Sequence, residues 1–133
     1  MLAPALIALT LAVSPAATGI ETFRTPSRNI ACLYAPASAG APAMLRCDIL
    51  TGLRPEPRNA CRLDWTGLGL GLTGRARPTC AGDTTYDSRS PILAYGRTWM
   101  RGGITCLSRR VGLRCTNRAR HGFELARERW RTF

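Results

Sequence analysis

The stretch GGITCLSRRVGLRCTN, residues 102–117, reads as one β-hairpin closed by its own disulfide. Alternate side chains of an extended strand share a face. Ile104 and Cys106 therefore lie on one side, and Leu113 and Cys115 on the same side of the returning strand. Ser108 and Leu113 then flank a four-residue loop, Arg109 to Gly112, whose last position suits a positive φ that glycine adopts at little cost. Nearly the same phrase occurs earlier, as RNIACLY at 28–34 completed by MLRCDI at 44–49. Aligned on the cysteines, Ile30, Cys32, Leu33, Leu45, Arg46 and Cys47 match Ile104, Cys106, Leu107, Leu113, Arg114 and Cys115. The first copy has a longer tip, APASAGAP, rich in small residues and proline. Two related hairpins are expected.

The chain of 133 residues holds six cysteines. An even count in a chain this short indicates a disulfide framework formed in an oxidising compartment. If each hairpin is closed by its own pair, the bridges are Cys32–Cys47 and Cys106–Cys115, which leaves Cys61 for Cys80. This is one of many pairings that six cysteines permit, selected by the repeat alone. Zinc is the competing use of the thiols. It is disfavoured because no CxxC spacing is present and the single histidine is His121. No metal and no cofactor is expected.

Between the hairpins, RLDWTGLGLGLTGRARPTC at 62–80 alternates Leu68, Leu70 and Leu72 with glycine, a strand period. Gly69, Gly71 and Gly74 spell a literal GxGxxG. A dinucleotide loop would need a helix next, whereas RARPTC runs straight into Pro78 and Cys80, so the glycines are read as allowing close backbone approach or a bend. CAGDTTYDSRSP, 80–91, reads as a surface loop. Its Asp83 and Asp87 supply too few oxygens for calcium. PILAYGRTWM, 91–100, reads as a strand that turns Leu93, Tyr95 and Trp99 to the core. In HGFELARERWRTF, 121–133, Phe123, Ala126, Trp130 and Phe133 recur at helical spacing, which predicts a short terminal helix with Arg127, Arg129 and Arg131 mostly solvated. A strand starting at Gly122 is the competing reading.

The expected class is thus a mainly β, small single domain of disulfide-linked antiparallel hairpins in two related copies. Ile30, Leu45, Ile49, Leu70, Tyr95, Trp99, Ile104 and Leu113 form its core, with Phe123 and Trp130 packing over one side. So small an apolar set requires covalent support.

Residues 1–20, MLAPALIALTLAVSPAATGI, carry no charge. They read as an export signal, cleaved after Ala16 or Ala17 among the small residues Ser14, Ala16 and Ala17, which leaves a domain over 18–133. The missing basic start departs from the usual pattern, and an uncleaved anchor is the rival reading, weakened by Pro4 and Pro15. Cys32 lies too far downstream to be a lipidated cysteine.

The net charge is +11, from nineteen arginines and no lysine against eight acidic residues. The choice of Arg over Lys, with the abundance of Ala, Gly and Pro, matches a GC-rich codon bias. The scarcity of acids does not follow from that bias. Such a surplus favours anionic partners, and guanidinium forks suit phosphate and carboxylate.

The phrases FRTPSRNIACL, LRCDI, CAGDT, LAYG, GGITCLS, GLRCTN and HGFELARE, in this order from Phe23 to the C-terminus, resemble a family of small secreted or periplasmic bacterial proteins that has no assigned activity. The family carries a glycine where this chain has Arg28. The resemblance implies export, disulfides and a small mostly-β domain, and no catalytic residue.

Three kinds of function are compatible with this reading. A binding module would use Arg109, Arg110 and Arg114, with Arg118 and Arg120, as a cationic face for an anionic polymer, lipid head groups or another secreted protein. The plain alternative is that these arginines keep a hairpin tip soluble. An inhibitor would present APASAGAP or the 82–90 loop, held rigid by disulfides, to an enzyme cleft. A phosphodiesterase would use Glu124 as base, His121 as acid and Arg118, Arg120 or Arg127 on the phosphate. His121 beside Gly122 fits a structural turn residue equally well. No GxSxG elbow is present, and a cysteine nucleophile would require a thiol outside the bridges. The binding module is the reading favoured here.

Overall fold

The computed structural model describes residues 1–10 and 19–133, and among these it contains ten strands and no helix. Five strands, β1 (Glu21–Arg24), β2 (Ile30–Ala35), β3 (Met44–Ile49), β4 (Asp64–Gly71) and β5 (Arg77–Ala81), pair in chain order as one antiparallel sheet. The next five, β6 (Thr98–Arg101), β7 (Ile104–Arg109), β8 (Gly112–Thr116), β9 (Gly122–Leu125) and β10 (Trp130–Thr132), form a second sheet in the same way. Residues 1–10 are exposed and carry no regular structure. The expected cleavage after Ala16 or Ala17 falls outside the described residues. Among the described residues no helix is long and apolar enough to cross a membrane.

The repeat read in the hairpins extends through both meanders, strand for strand. Cys32 faces Cys47 across β2 and β3, and Cys106 faces Cys115 across β7 and β8. Both pairs are bonded, with Cα atoms 4.1 and 4.0 Å apart, the close approach of opposite residues that exchange no backbone hydrogen bonds. One strand earlier, Phe23 pairs with Cys32 and Trp99 with Cys106. One strand later, Leu68 pairs with Cys47 and Phe123 with Cys115. The neighbouring rungs match too: Gly67 lies opposite Asp48, and Gly122 opposite Thr116. A Cβ at Gly67 would run into the Cys47 carbonyl oxygen, and one at Gly122 into the Cys115 carbonyl oxygen. Equivalent residues also meet across the molecule. Phe23 and Trp99 pack ring on ring at 5.2 Å, and β4 touches β9. That is the self-complementary contact of a two-fold arrangement, here within one chain.

Period-two alternation sends one face of each sheet inward. Ile30, Cys32, Leu45, Cys47, Leu68 and Leu70 from the first sheet, with Ile104, Cys106, Leu113, Cys115, Phe123 and Leu125 from the second, form a single core. Ile49 joins it, as do Phe23, Tyr34 and Leu53. The third bridge, Cys61–Cys80, ties the long connection between β3 and β4 to β5. Its Cα atoms are 5.9 Å apart, and Cys80 is exposed and Cys61 half-buried, where the four half-cystines of the other two bridges are buried. Three disulfides fit an oxidising compartment.

Two expectations are corrected. The terminal segment is a hairpin rather than a helix: Ala126 donates to the Arg129 carbonyl, and Gly122 and Phe133 exchange both backbone bonds. The free edge of β8 offers backbone donors and acceptors that β9 satisfies, and Phe123 and Leu125 are buried at strand, not helix, spacing. Tyr95 is 38 % exposed and lies outside the core. Residues 91–97 are not a continuous strand but a bend around Gly96, whose φ is +83°. Trp99 and Trp130 pack on the core while remaining partly open. The tip of the second hairpin is tighter than expected, because Arg109 pairs with Gly112 and leaves Arg110 and Val111 as the turn. Gly112 has the anticipated positive φ, +135°.

Candidate anion-binding site

The β7–β8 turn pushes Arg109 and Arg110 out at one end of the second sheet, and the β9–β10 turn brings Arg127 and Arg129 beside them. Two small cavities flank the β7–β8 turn. One, of about 170 Å³, lies between Arg109, Val111, Glu124, Arg129, Trp130 and Arg131. The other, of about 180 Å³, is bounded by Thr25, Ser27, Tyr95, Arg110 and Arg127. Five guanidinium groups thus border the pair of cavities, against the single carboxylate of Glu124.

Glu124 organises its own side of this cluster. It projects from the outer face of β9 opposite Arg114, whose Nη1 donates to Oε1 at 2.7 Å. Arg131, opposite Glu124 on β10, donates through Nε to Oε2 at 2.8 Å. Arg109 stands 3.6 Å from Oε1. Hydrogen bonding from Arg131, joined by Arg114 and opposed by partial burial, holds the carboxyl down at about 2. Arg114 and Arg131 also lie over the Phe133 ring, at 4.4 and 5.1 Å. Arg110 stacks over the Tyr95 ring at 4.9 Å, which gives that exposed tyrosine a role the core reading missed.

The remaining predicted residues are placed elsewhere. Arg118 and Arg120 sit in the β8–β9 connection, at the opposite end of β8 from Arg109 and Arg110. That connection is built around buried Asn117: its Nδ2 donates to the Gly71 and Gly74 carbonyls, and its Oδ1 accepts from Ala119 and His121 N–H. Arg118 donates its backbone N–H to Leu72, and Arg120 takes a φ of +64°. His121 and Glu124 are three residues apart along extended chain, which directs them to opposite faces. Asp83 accepts from Arg46, and Asp87 from Arg89. Gly69 and Gly71 lie inside β4, with Gly74 just beyond it, and β5 follows where a dinucleotide loop would have its helix. The cationic-face reading omits Arg127, Arg129 and Arg131, of which Arg127 enters only as a phosphate ligand of the phosphodiesterase alternative. Their spacing of two was the available signal, and the helix reading concealed it.

The model of a family of unknown function, DUF6636, matches residues 3–133. The chain belongs to this family. No curated protein and no solved structure matches it.

On the outer face of the first sheet, Arg46 and two aspartates form a charge cluster that is closed in on itself. Asp48, 4 % exposed, accepts from Arg46 Nε and Nη2, from the Thr66 hydroxyl and from the Thr85 backbone N–H. Arg46 spends its other nitrogen on Asp83 at 2.9 Å. The Arg46 hydrogen bond in turn lowers the Asp83 pKa. Arg46, Asp48 and Asp83 all have partners within the chain, so this cluster pins the 82–86 segment to the sheet and has little left to offer a ligand. At the β7–β8 turn the cations outnumber the acid.

Proposed function

We propose that this protein is an exported, non-enzymatic binding module that holds an anionic partner of the cell envelope or the extracellular space on the arginines around the β7–β8 turn. The uncharged, apolar N-terminal stretch supports export, as do the disulfides. One observation carries the reading: five arginines border two adjoining cavities that contain one acid, and that acid is already paired to Arg114 and Arg131. Arg110, Arg127 and Arg129 have no acidic partner among the described residues, so their guanidinium groups are available to phosphate or carboxylate oxygens. A phosphodiesterase is less well supported, because a carboxyl held at about 2 is a weak base at neutral pH.

The test uses polyphosphate, a polyanion without rings. Binding falls steeply with added salt, and Arg109→Glu with Arg110→Glu weakens it at least tenfold. Arg118→Glu with Arg120→Glu, at the other end of β8, changes it less than twofold. Equal losses from both pairs would show diffuse charge attraction and contradict a site at the turn.

A further inference from the structure

Beside the basic notch runs a larger, open cleft of about 560 Å³, lined by Trp65, Trp130, Pro57, Pro78, Arg58 and Arg77, with Glu56 and Asn59 at its wall. The two clefts share Trp130, so one surface continues into the other. We infer that this cleft is a saccharide subsite, and that the anionic partner is an acidic glycan, an inference that rests on the anion-binding reading above.

The cleft has the parts that sugar recognition requires. Each indole packs one side on the core and leaves the rest open. An aromatic face is electron-rich and attracts the weakly positive C–H edge of a pyranose ring, while the prolines add flat apolar wall. Around that platform, Glu56 accepts, Arg58 and Arg77 donate, and Asn59 does both, matching hydroxyls that give and take hydrogen bonds. Arg58 and Arg77 also suit a ring carboxylate. A DNA phosphodiester backbone offers acceptors and no hydroxyl donor, so the Glu56 carboxylate, which Arg54 already meets at 3.3 Å, would gain no partner from it. This favours glycan over single-stranded nucleic acid, the other polymer that combines charge with flat faces.

The platform is also held still before anything binds. The Trp130 indole N–H donates to the Pro55 carbonyl at 2.7 Å. Leu53 donates its N–H to the Trp65 carbonyl at 2.9 Å and is itself fully buried. Trp65 pairs in register with Cys80, whose bridge to Cys61 closes the far end of the loop that carries Glu56 to Asn59. A bulge between Trp65 and Gly67 sets the angle at which the indole leaves β4. Ligand binding therefore orders little that is not already ordered.

The experiment titrates the oxidised full chain with three probes: oligogalacturonate, polyphosphate and oligothymidylate. Oligogalacturonate is expected to change tryptophan fluorescence, and Trp65→Ala to weaken its binding at least tenfold while polyphosphate binding stays within twofold. Arg77→Ala with Asn59→Ala, both at exposed positions, should reproduce the selective loss, and they carry the test if Trp65→Ala fails to fold. The inference is overturned if these variants leave oligogalacturonate binding unchanged, if they weaken polyphosphate equally, or if their effect is confined to oligothymidylate. Polyphosphate binding that survives such a result leaves the anion-binding reading standing. A wild-type chain that binds none of the three ends both.

Discussion

The two meanders share a register and differ most in one connection. From β8 to β9 the chain needs only residues 117–121, and the Asn117 side chain makes four hydrogen bonds that hold that turn together with its backbone bonds. From β3 to β4 it takes residues 50–63, and no single side chain can organise so long a segment. There the fold uses buried Leu53, the Trp130–Pro55 hydrogen bond and the extra bridge Cys61–Cys80. The lesson is that the common parts of the halves build the core, and the added segment, stapled because a long free loop is entropically expensive, builds a surface. A second difference is electrostatic. Arg46 and Arg114 are equivalent, yet Arg46 faces Gly69 where Arg114 faces Glu124. The first arginine finds its acids at Asp48 and Asp83, and the second gathers further arginines around Glu124.

The equivalence is most strongly tested at its tightest point. Gly67→Ala and Gly122→Ala place a Cβ against the carbonyl of the adjoining half-cystine in the two halves. Each should destabilise by about 1 to 3 kcal/mol, as overpacking does, and the two losses should be similar in chemical denaturation. A large loss at one glycine and none at the other would break the equivalence.

The loops between the paired strands differ in strain. Arg28, before β2, holds a φ of +62°, in the region where side chains are disfavoured, and it is exposed. Arg28→Gly should stabilise by about 1 kcal/mol, the left-handed penalty less the greater freedom glycine has when unfolded. Loss of stability in thermal melts would show that the arginine side chain, not the backbone angle, matters at this turn.

The smallest effect concerns acid. Glu124 titrates at about 2 in the fold, against an ordinary value of 4.5. Its contribution is complete above pH 4.5 and is lost as the pH falls through about 2. Glu124→Gln should therefore flatten the acid limb of the stability profile between pH 4.5 and 2. An unchanged limb would mean that the Arg131 and Arg114 bonds are not formed in solution.

What could be read from the sequence was what local pattern fixes. The phrase I-x-C-L with its L-R-C return sets parity and register together, so both hairpins and their bridges were legible, and Leu68 and Leu70 marked β4. The fate of Phe123 to Phe133 was not, because the same apolar positions satisfy a helix or a hairpin, and the choice falls to the edge of β8, far away in pairing rather than in pattern. At Tyr95 the apolar neighbours point to core while the turn at Gly96 decides its exposure. The arginine cluster depends on that terminal hairpin. The tryptophan cleft depends on β4, the 50–63 segment and β10 meeting, which no local window contains.

The central claim is that two like meanders each carry their own cross-strand bridge. Peptide mapping of the unreduced protein by mass spectrometry tests it most directly. The account predicts Cys32–Cys47, Cys61–Cys80 and Cys106–Cys115; a bridge joining Cys32 or Cys47 to Cys106 or Cys115 would contradict it.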